Sequence, residues 1–186
     1  MRADPSAADL RIFSMKHFLA ALLLSTSPAA ATPLTGSFAS IDGGTLDLED
    51  WRGRPVLVVN TASRCGFTHQ YDDLQALQDR YEADGLVVLA VPSNDFRQEL
   101  ASDEEVKEFC EVNFNLTLPM TTITSVKGSA AHPFYRQLRD VAGFTPMWNF
   151  DKVLLGPDGA VVETWRSVTS PGSRKITGAI EALLTD

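Results

Sequence analysis

The fold is decided by one stretch of sequence, VLVVNTASRCGFTHQY at residues 56–71. Its first five residues form a continuous apolar, largely β-branched run, which predicts a strand buried on both faces. A helix is predicted over residues 70–84, because apolar side chains recur there at helical spacing and Gly85 follows. Cys65 therefore falls between the end of a buried strand and the start of a helix.

A second buried strand is predicted over residues 86–91, where Pro92 stops it. A right-handed crossover between the two strands places the residues after Asn60 at the carboxyl edge of the sheet, and Cys65 lies there. Upstream, residues 37–48 alternate apolar and polar side chains around Asp42-Gly43-Gly44, which predicts a small β-hairpin.

The remaining pattern completes an α/β domain with a mixed β-sheet flanked by helices. Ser102 is expected to cap a helix, with Glu105 at the capping-box position. Residues 116–126 carry strand-like side chains around Pro119. The other predicted elements are a short helix over 131–139, a hairpin of strands 152–155 and 160–165, and a last helix with Ile176, Ile180 and Leu183 on one face.

Length and charge limit the possible functions. The chain has 186 residues, 44% of them apolar and 22% charged, which is the balance of one globular domain. Its formal net charge of -8 argues against nucleic acid or an anionic membrane surface as the main partner. The three histidines fall in no metal-ligand spacing, and neither a phosphate loop nor a dinucleotide fingerprint occurs. We therefore expect neither a metal nor a cofactor.

The first 31 residues read as a signal peptide. A basic start at Met15-Lys16-His17 precedes a short apolar run at 18–24 and three alanines at 29–31. The run is too short to span a bilayer, so no stable membrane anchor is expected. Met15 is a candidate for the true start, and an ordinary amphipathic helix is the alternative. We expect export to a bacterial periplasm, with residues 32–186 forming the mature domain.

Cys65 sits where a thiolate is favoured, close to a helix N-terminus and next to Arg64. A thiolate that attacks a peroxide becomes a sulfenic acid, which a second thiol such as Cys110 can trap as a disulfide. A buried, inert Cys65 is equally compatible with the spacing. A thioredoxin-type dithiol is disfavoured here, because Thr68 occupies the position of the second cysteine of a C-x-x-C motif.

Four blocks of the sequence resemble the glutathione peroxidase family, and they occur in the family's order. They are VVNTASRCGFTHQY at 58–71, LAVPSNDFRQE at 89–99, HPFY at 132–135 and WNFDKVL at 148–154. The resemblance implies a thioredoxin-like fold and a thiol-dependent peroxidase. It also implies a catalytic tetrad of Cys65, Gln98, Trp148 and Asn149, in which the amide and indole groups donate hydrogen bonds to the sulfur.

The resemblance also suggests how the cycle is completed. Some members carry a resolving cysteine in the helix that holds Cys110, but one residue further along, an offset of about 100° around a helix. Cys110 is expected to resolve the sulfenic acid, and a structural Cys110 is the alternative. The expected partners are a hydroperoxide and a reductant, either a thioredoxin-like protein or glutathione. A short segment between Arg139 and Trp148 resembles the monomeric members.

Two other functions remain open from the sequence. One is an exported thioredoxin-like thiol–disulfide oxidoreductase, which the missing C-x-x-C motif disfavours. The other is a non-catalytic module in which Cys65 and Cys110 form a permanent disulfide, the usual state of a cysteine pair in an oxidising compartment.

Overall fold

The computed structural model describes residues 32–184. The predicted signal segment, residues 1–31, lies outside the described residues. The strands are β1 (Ser37–Ala39), β2 (Thr45–Asp47), β3 (Val56–Thr61), β4 (Val87–Pro92), β5 (Lys152–Leu155) and β6 (Val161–Trp165). The α-helices are α1 (Gln70–Tyr81), α2 (Asp103–Phe114), α3 (Pro133–Ala142) and α4 (Arg174–Leu184), and a 3₁₀ turn covers Leu48–Trp51.

The central sheet is mixed, with strand order β4-β3-β5-β6. Strands β3 and β4 are parallel, and α1 connects them. Every residue of β3 and β4 is buried, as predicted for strands covered on both faces. The expected N-terminal hairpin is present as the antiparallel pair β1 and β2.

The strand registers bring three distant segments to one edge of the sheet. Thr61 pairs with Pro92, so the residues that follow β3 and the residues that follow β4 leave the sheet together. Strand β5 runs antiparallel to β3, with Lys152 opposite Val59, so the residues that precede β5 reach the same edge. Cys65, Gln98 and the Trp148–Asn149 turn therefore come from segments that meet there.

The sheet separates two apolar layers, because successive side chains of a strand point to opposite faces. Leu57 and Val59 of β3 belong to the layer that packs against α1, α2 and α4. Val56 and Val58 belong to the layer that packs against the hairpin and α3. Both Cys65 and Cys110 lie in the first layer. No helix among residues 32–184 combines the length and the apolar character needed to cross a membrane.

Local signals predicted most element ends, with three differences. Helix α1 ends at Tyr81, three residues before the predicted end, and β4 includes Pro92. The segment 116–126 is not a strand and forms only isolated bridges, at Met120 and Thr121. Pro119 has no backbone N–H to donate to a neighbouring strand. Its carbonyl accepts a hydrogen bond from Ala90 N of β4, but the pairing stops after a few residues because the missing N–H interrupts it.

The start of α2 follows the sequence prediction closely. Ser102 has an extended backbone, and its hydroxyl accepts a hydrogen bond from the Glu105 backbone N–H. The Glu105 carboxylate reaches back to the N–H of Ala101, one residue before the cap. The helix ends at Asn115, whose left-handed backbone (φ 49°) bonds back to the carbonyls of Cys110 and Glu111.

Candidate active site

Cys65 lies in the tight turn between β3 and α1, and its side chain is 5% exposed. Its Sγ accepts a hydrogen bond from the backbone N–H of Phe67 at 3.5 Å. Its carbonyl accepts from Thr68 N, which closes the turn at 3.1 Å. The turn therefore aims a backbone N–H group at the Cys65 sulfur.

The space beside Gly66, the residue after Cys65, is open. A Cβ added at Gly66 would meet no atom within 4 Å, which leaves room next to the Cys65 turn. Gly66 does not adopt a positive φ. Because glycine has no side chain, this position leaves room beside the turn, although the turn itself does not require glycine.

Gln98 ties the loop after β4 to the Cys65 turn. Its backbone carbonyl accepts a hydrogen bond from Arg64 N at 2.8 Å. Its side-chain Oε1 accepts a second bond from Asn149 Nδ2 at 2.9 Å. Gln98 thus bridges the residue before Cys65 and the turn before β5. Since its Oε1 is engaged, its side-chain N–H₂ remains to donate to another group.

Trp148 and Asn149 occupy the third segment and differ in exposure. Asn149 is fully buried, whereas Trp148 is 42% exposed and packs against Phe96 with ring centroids 5.5 Å apart. The Asn60 side chain donates to the Trp148 carbonyl at 2.9 Å, which fixes the turn to the end of β3. The structure therefore places the turn that carries both residues at the sheet edge of Cys65.

The buried amide of Asn149 has a defined acceptor. Its N–H₂ group, which the resemblance implies as a donor of the tetrad, donates to Gln98. A buried amide binds the nearest acceptor, and here the Gln98 carbonyl oxygen fills that position. Asn149 thus orients Gln98 in this arrangement.

Cys110 lies on the inner face of α2 and is 1% exposed. Both Cys65 and Cys110 are free thiols. Burial raises the pKa of the Cys110 thiol to about 12; the Tyr71 hydroxyl opposes this shift, and the negative charges of Glu99 and Glu111 add to it. Cys110 is therefore a protonated thiol at neutral pH in this conformation.

Two charged side chains beneath the Trp148–Asn149 turn escaped the sequence reasoning. Asp151 is 2% exposed and Lys152 is 1% exposed. The Lys152 ammonium donates to Gln70 Oε1 at 2.7 Å and to the Phe150 carbonyl at 2.6 Å. The sequence shows two adjacent charged residues at the start of an apolar strand. This pattern alone does not indicate that they are buried, because charged residues at strand ends are usually exposed.

Glu99 also escaped the sequence reasoning, although it directly follows Gln98. Its side chain is 5% exposed, and Oε1 accepts from Ser63 N at 2.9 Å and from Leu100 N at 2.8 Å. Burial raises the pKa of the Glu99 carboxyl, and the hydrogen bonds together with Arg64 partly offset that rise. Within residues 32–184, no group of three or more His, Cys, Asp or Glu side chains is placed to hold a metal ion.

Comparison with known proteins gives a consistent result. A family model described as glutathione peroxidase matches residues 34–139, a range that includes Cys65, Gln98 and Cys110 but ends before Trp148. The chain is 39% identical over 140 residues to a glutathione peroxidase of Lactococcus lactis subsp. cremoris, covering 73% of this chain and 89% of that one. It is 37% identical over 163 residues to glutathione peroxidase-like peroxiredoxin 2 of Saccharomyces cerevisiae, covering 82% and 99%.

The fold is shared more widely than the sequence. A solved thiol:disulfide interchange protein of the thioredoxin family, from Chlorobium tepidum TLS, superposes with a TM-score of 0.64 at 16% identity. The match covers 85% of this chain and 99% of that one. At this identity the likeness concerns the fold alone, and it confirms the thioredoxin-like architecture expected from the sequence.

Proposed function

The chain belongs to the glutathione peroxidase family and is a thiol-dependent peroxidase, and from this premise we propose that Cys65 is its peroxidatic residue. The observation that carries the proposal is the convergence at one sheet edge: the Cys65 sulfur accepts a backbone N–H, and Gln98 joins the residue before Cys65 to Asn149. A nucleophile with nearby hydrogen-bond donors and open space beside it is what attack on a peroxide requires.

In the proposed first step, the Cys65 thiolate attacks one oxygen of a hydroperoxide. The S–O bond forms as the O–O bond breaks, and the leaving oxygen takes a proton and departs as water or an alcohol. The Gln98 amide and the Trp148 indole N–H are the proposed donors to the sulfur and to the leaving oxygen. Asn149 holds Gln98 in the orientation that frees its N–H₂ group.

In the proposed second step, Cys110 condenses with the Cys65 sulfenic acid to form a disulfide. Both thiols are free and lie in the same apolar layer, which supports this pairing. Because Cys110 is buried on α2, the helix must open locally before its sulfur reaches Cys65. A thioredoxin-like protein or glutathione then reduces the disulfide. The net charge of -8 favours a protein reductant over the anionic tripeptide.

The proposed substrates are hydrogen peroxide and organic or lipid hydroperoxides. An apolar cleft of about 340 Å³ adjoins Trp148, and its lining includes Phe67, Met147 and Val168. Met147 and Val168 are 71% and 81% exposed, so the cleft is accessible from solvent. A bulky organic group could rest on this surface while its peroxide reaches Cys65.

We further propose that the mature protein is a monomer exported to a periplasm after removal of residues 1–31. The basic, apolar and small-residue succession from Met15 to Ala31 supports export, and the short segment between Arg139 and Trp148, which resembles the monomeric members, supports the monomer. Expression of the full chain in a bacterium, followed by fractionation and intact mass measurement, tests this. Export with cleavage after Ala31 gives a periplasmic protein that begins at Thr32, and retention of the intact chain in the cytoplasm contradicts it.

The decisive experiment measures consumption of hydrogen peroxide and cumene hydroperoxide, coupled separately to thioredoxin and to glutathione. We expect Cys65→Ser to abolish turnover with both reductants, because no thiolate remains to attack. We expect Cys110→Ser to abolish turnover with thioredoxin. Val112→Ser, at a position of α2 that is 75% exposed, is the matched control and should behave as wild type.

Two other outcomes would redirect the proposal. Full activity of Cys110→Ser with either reductant would mean that Cys65 is reduced directly and that Cys110 is structural. Reduction of insulin disulfides without peroxide consumption would favour a thiol–disulfide oxidoreductase.

A further inference from the structure

The apolar cleft beside the catalytic edge carries a positive charge on its wall. Its volume is about 340 Å³, and its apolar lining comes from Phe67, Met147, Trp148 and Val168. Arg166 also lines this cleft, and the Arg166 side chain is 44% exposed. A concave apolar surface with a charged group on its wall fits a ligand that is itself apolar along its length and charged at one end.

This cleft adjoins the turn that carries the proposed nucleophile. Phe67 lines the cleft, and its backbone N–H donates to the Cys65 sulfur at 3.5 Å. A molecule that packs against Phe67 therefore lies beside the Cys65 turn. Because Arg166 lines the same cleft, an extended ligand can contact the cation with one part and approach the sulfur with another.

The Arg166 guanidinium is held in place by its protein partners, and part of it remains available. Nη1 donates to Asp151 Oδ2 at 2.7 Å and to the Thr145 carbonyl at 3.0 Å. The guanidinium also lies over the Phe144 ring, 4.3 Å from its centroid. Nε and Nη2 have no hydrogen-bond acceptor among residues 32–184. Since these two nitrogens carry three N–H groups, Arg166 can still bind an anion in the forked geometry that suits a carboxylate.

Asp151 offsets only part of the Arg166 charge. The buried Asp151 carboxylate also accepts hydrogen bonds from Met147 N and from the backbone N–H and hydroxyl of Ser167. Its negative charge acts on the Lys152 ammonium as well. Because several donors share this one carboxylate, Arg166 keeps a positive charge that a ligand in the cleft can meet.

We propose that Arg166 binds the carboxylate of a long-chain hydroperoxide of the fatty-acid type, whose hydrocarbon chain lies on the apolar cleft. The inference rests on the proposed function, because it assumes that Cys65 attacks the peroxide group of this same molecule. Arg166 contacts the substrate away from the reacting atoms, so it determines specificity and leaves the bond changes at Cys65 as they are. Neutral esters of the same hydroperoxide lack the charge that Arg166 recognises, so they are poorer substrates.

Glutathione is the other source of a carboxylate, and the lining of the cleft argues against it. Glutathione is polar at both ends and would leave Phe67, Met147 and Val168 without an apolar partner. A hydrocarbon chain covers these side chains and removes their surface from water. The net charge of -8 repels any anion, but salt screens that repulsion beyond about 8 Å. The direct contact with Arg166 therefore decides which anion is held.

The test measures oxidation of Cys65 in a single turnover, without any reductant. Reduced full-length protein is mixed with linoleic acid hydroperoxide, with its methyl ester or with hydrogen peroxide, the two lipids below their micelle-forming concentrations. Loss of the free Cys65 thiol is followed by alkylation and mass spectrometry. We expect the wild type to react about fivefold faster with the acid than with the ester, the effect of one half-exposed ion pair.

Arg166→Met should remove this preference. We expect its rate with the acid to fall about fivefold, to the rate of the ester, while its rates with the ester and with hydrogen peroxide stay within about twofold of wild type. Arg166→Lys keeps a positive charge beside Asp151 and should still react about twofold faster with the acid than with the ester. If Arg166→Met does not fold, the ratio of acid to ester rates in the wild type and in Arg166→Lys decides the question.

Two further variants separate the charge from the apolar surface. Val168→Ser shortens the apolar wall of the cleft and should slow the acid and the ester equally, by about threefold, without changing the rate with hydrogen peroxide. Arg139→Met removes another half-exposed arginine that pairs with a carboxylate, that of Asp140, and is the matched control. It should leave all three rates unchanged.

Three results would overturn the inference. A wild type that reacts no faster with the acid than with the ester has no site for the carboxylate. An equal slowing of the acid, the ester and hydrogen peroxide in Arg166→Met would show that Arg166 only holds the neighbouring turn. An unchanged rate with the acid together with a raised KM for glutathione in Arg166→Met would assign the guanidinium to the reductant. In each case oxidation of Cys65 by hydrogen peroxide leaves the proposed function standing, whereas no oxidation by any of the three peroxides would mean that the proposed function itself fails.

Discussion

Two buried polar regions support the Cys65 edge of the sheet, and they differ in how completely their hydrogen bonds are made. Beneath the Trp148–Asn149 turn, both carboxylate oxygens of Asp151 are bonded twice. Oδ1 accepts from the backbone N–H and the hydroxyl of Ser167 at 2.9 Å each, and Oδ2 accepts from Met147 N at 2.9 Å and Arg166 Nη1 at 2.7 Å. The neighbouring Lys152 ammonium also has two partners.

Around Cys110, by contrast, Glu99 has one bonded oxygen, Oε1, and one, Oε2, that has no hydrogen-bond partner among residues 32–184. Each unpaired buried group costs about 1–3 kcal/mol, a cost that the Asp151 carboxylate itself avoids. The Asp151 region therefore holds the turn that carries Trp148 and Asn149 with a complete set of hydrogen bonds, whereas the buried carboxylate of Glu99 is bonded through one oxygen.

The largest effect on stability is expected when Asp151, at the centre of the hydrogen-bonded region beneath the Trp148–Asn149 turn, is replaced. Asp151→Ala removes the acceptor of the backbone N–H groups of Met147 and Ser167. It also removes the acceptor of the Arg166 Nη1 group. We expect a loss of about 3–5 kcal/mol in the free energy of unfolding, measured by urea denaturation. Asp140→Ala, which removes an exposed partner of Arg139, is the control and should have almost no effect. An equal urea midpoint for wild type and Asp151→Ala would show that the network does not stabilise the fold.

Part of this comparison could be predicted from the sequence. The apolar runs of β3 and β4 and their parallel pairing follow from local pattern, and they place the ends of both strands, with Cys65 and Gln98, at one edge. The hydrogen-bond partners of Asp151 and Lys152 could not be predicted, because they are tertiary contacts between residues that are far apart in the sequence. Lys152 binds the side chain of Gln70, 82 residues away, and no local pattern distinguishes a buried lysine from the exposed one expected at a strand end.

The buried polar groups around Cys110 were beyond sequence reasoning for a related reason. Tyr71 and Glu99 both lie within blocks that resemble the family, where they read as ordinary helix and loop residues. Their joint relation to Cys110 depends on how α1, α2 and the loop after β4 pack in three dimensions. The segment around Pro119 illustrates the same limit, since its strand-like composition was overridden by a missing backbone N–H.

A smaller effect is expected from the pH dependence of Lys152. Burial lowers the pKa of its ammonium from 10.5 to about 8, and the charges of Asp151 and Asp73 oppose this shift. Between about pH 8 and 10.5 the unfolded chain therefore binds the proton and the folded chain does not, so this residue makes the folded state more stable as pH rises. The gain across this window is at most about 3 kcal/mol.

Lys152→Met removes that contribution. We expect the difference in unfolding free energy between wild type and Lys152→Met to shift in favour of wild type from pH 8 to pH 10.5, as measured by urea denaturation at each pH. Lys175→Met, at an exposed position of α4, is the matched control and should keep the wild-type slope. A wild-type slope in Lys152→Met would mean that the buried ammonium does not titrate in this range.

The smallest expected effect tests whether helix α2 must open before Cys110 forms the disulfide. Ser102 caps α2 through a hydrogen bond from Glu105 N, and Ser102→Ala should weaken the helix start by about 1 kcal/mol. If opening of α2 precedes disulfide formation, the open form becomes about fivefold more populated and the disulfide forms about fivefold faster in a single turnover. Val112→Thr, at an exposed position of the same helix and with a similar helix propensity, should leave the rate unchanged. Faster amide hydrogen exchange in α2 of Ser102→Ala without a faster disulfide would mean that opening of the helix does not limit the rate at which the disulfide forms.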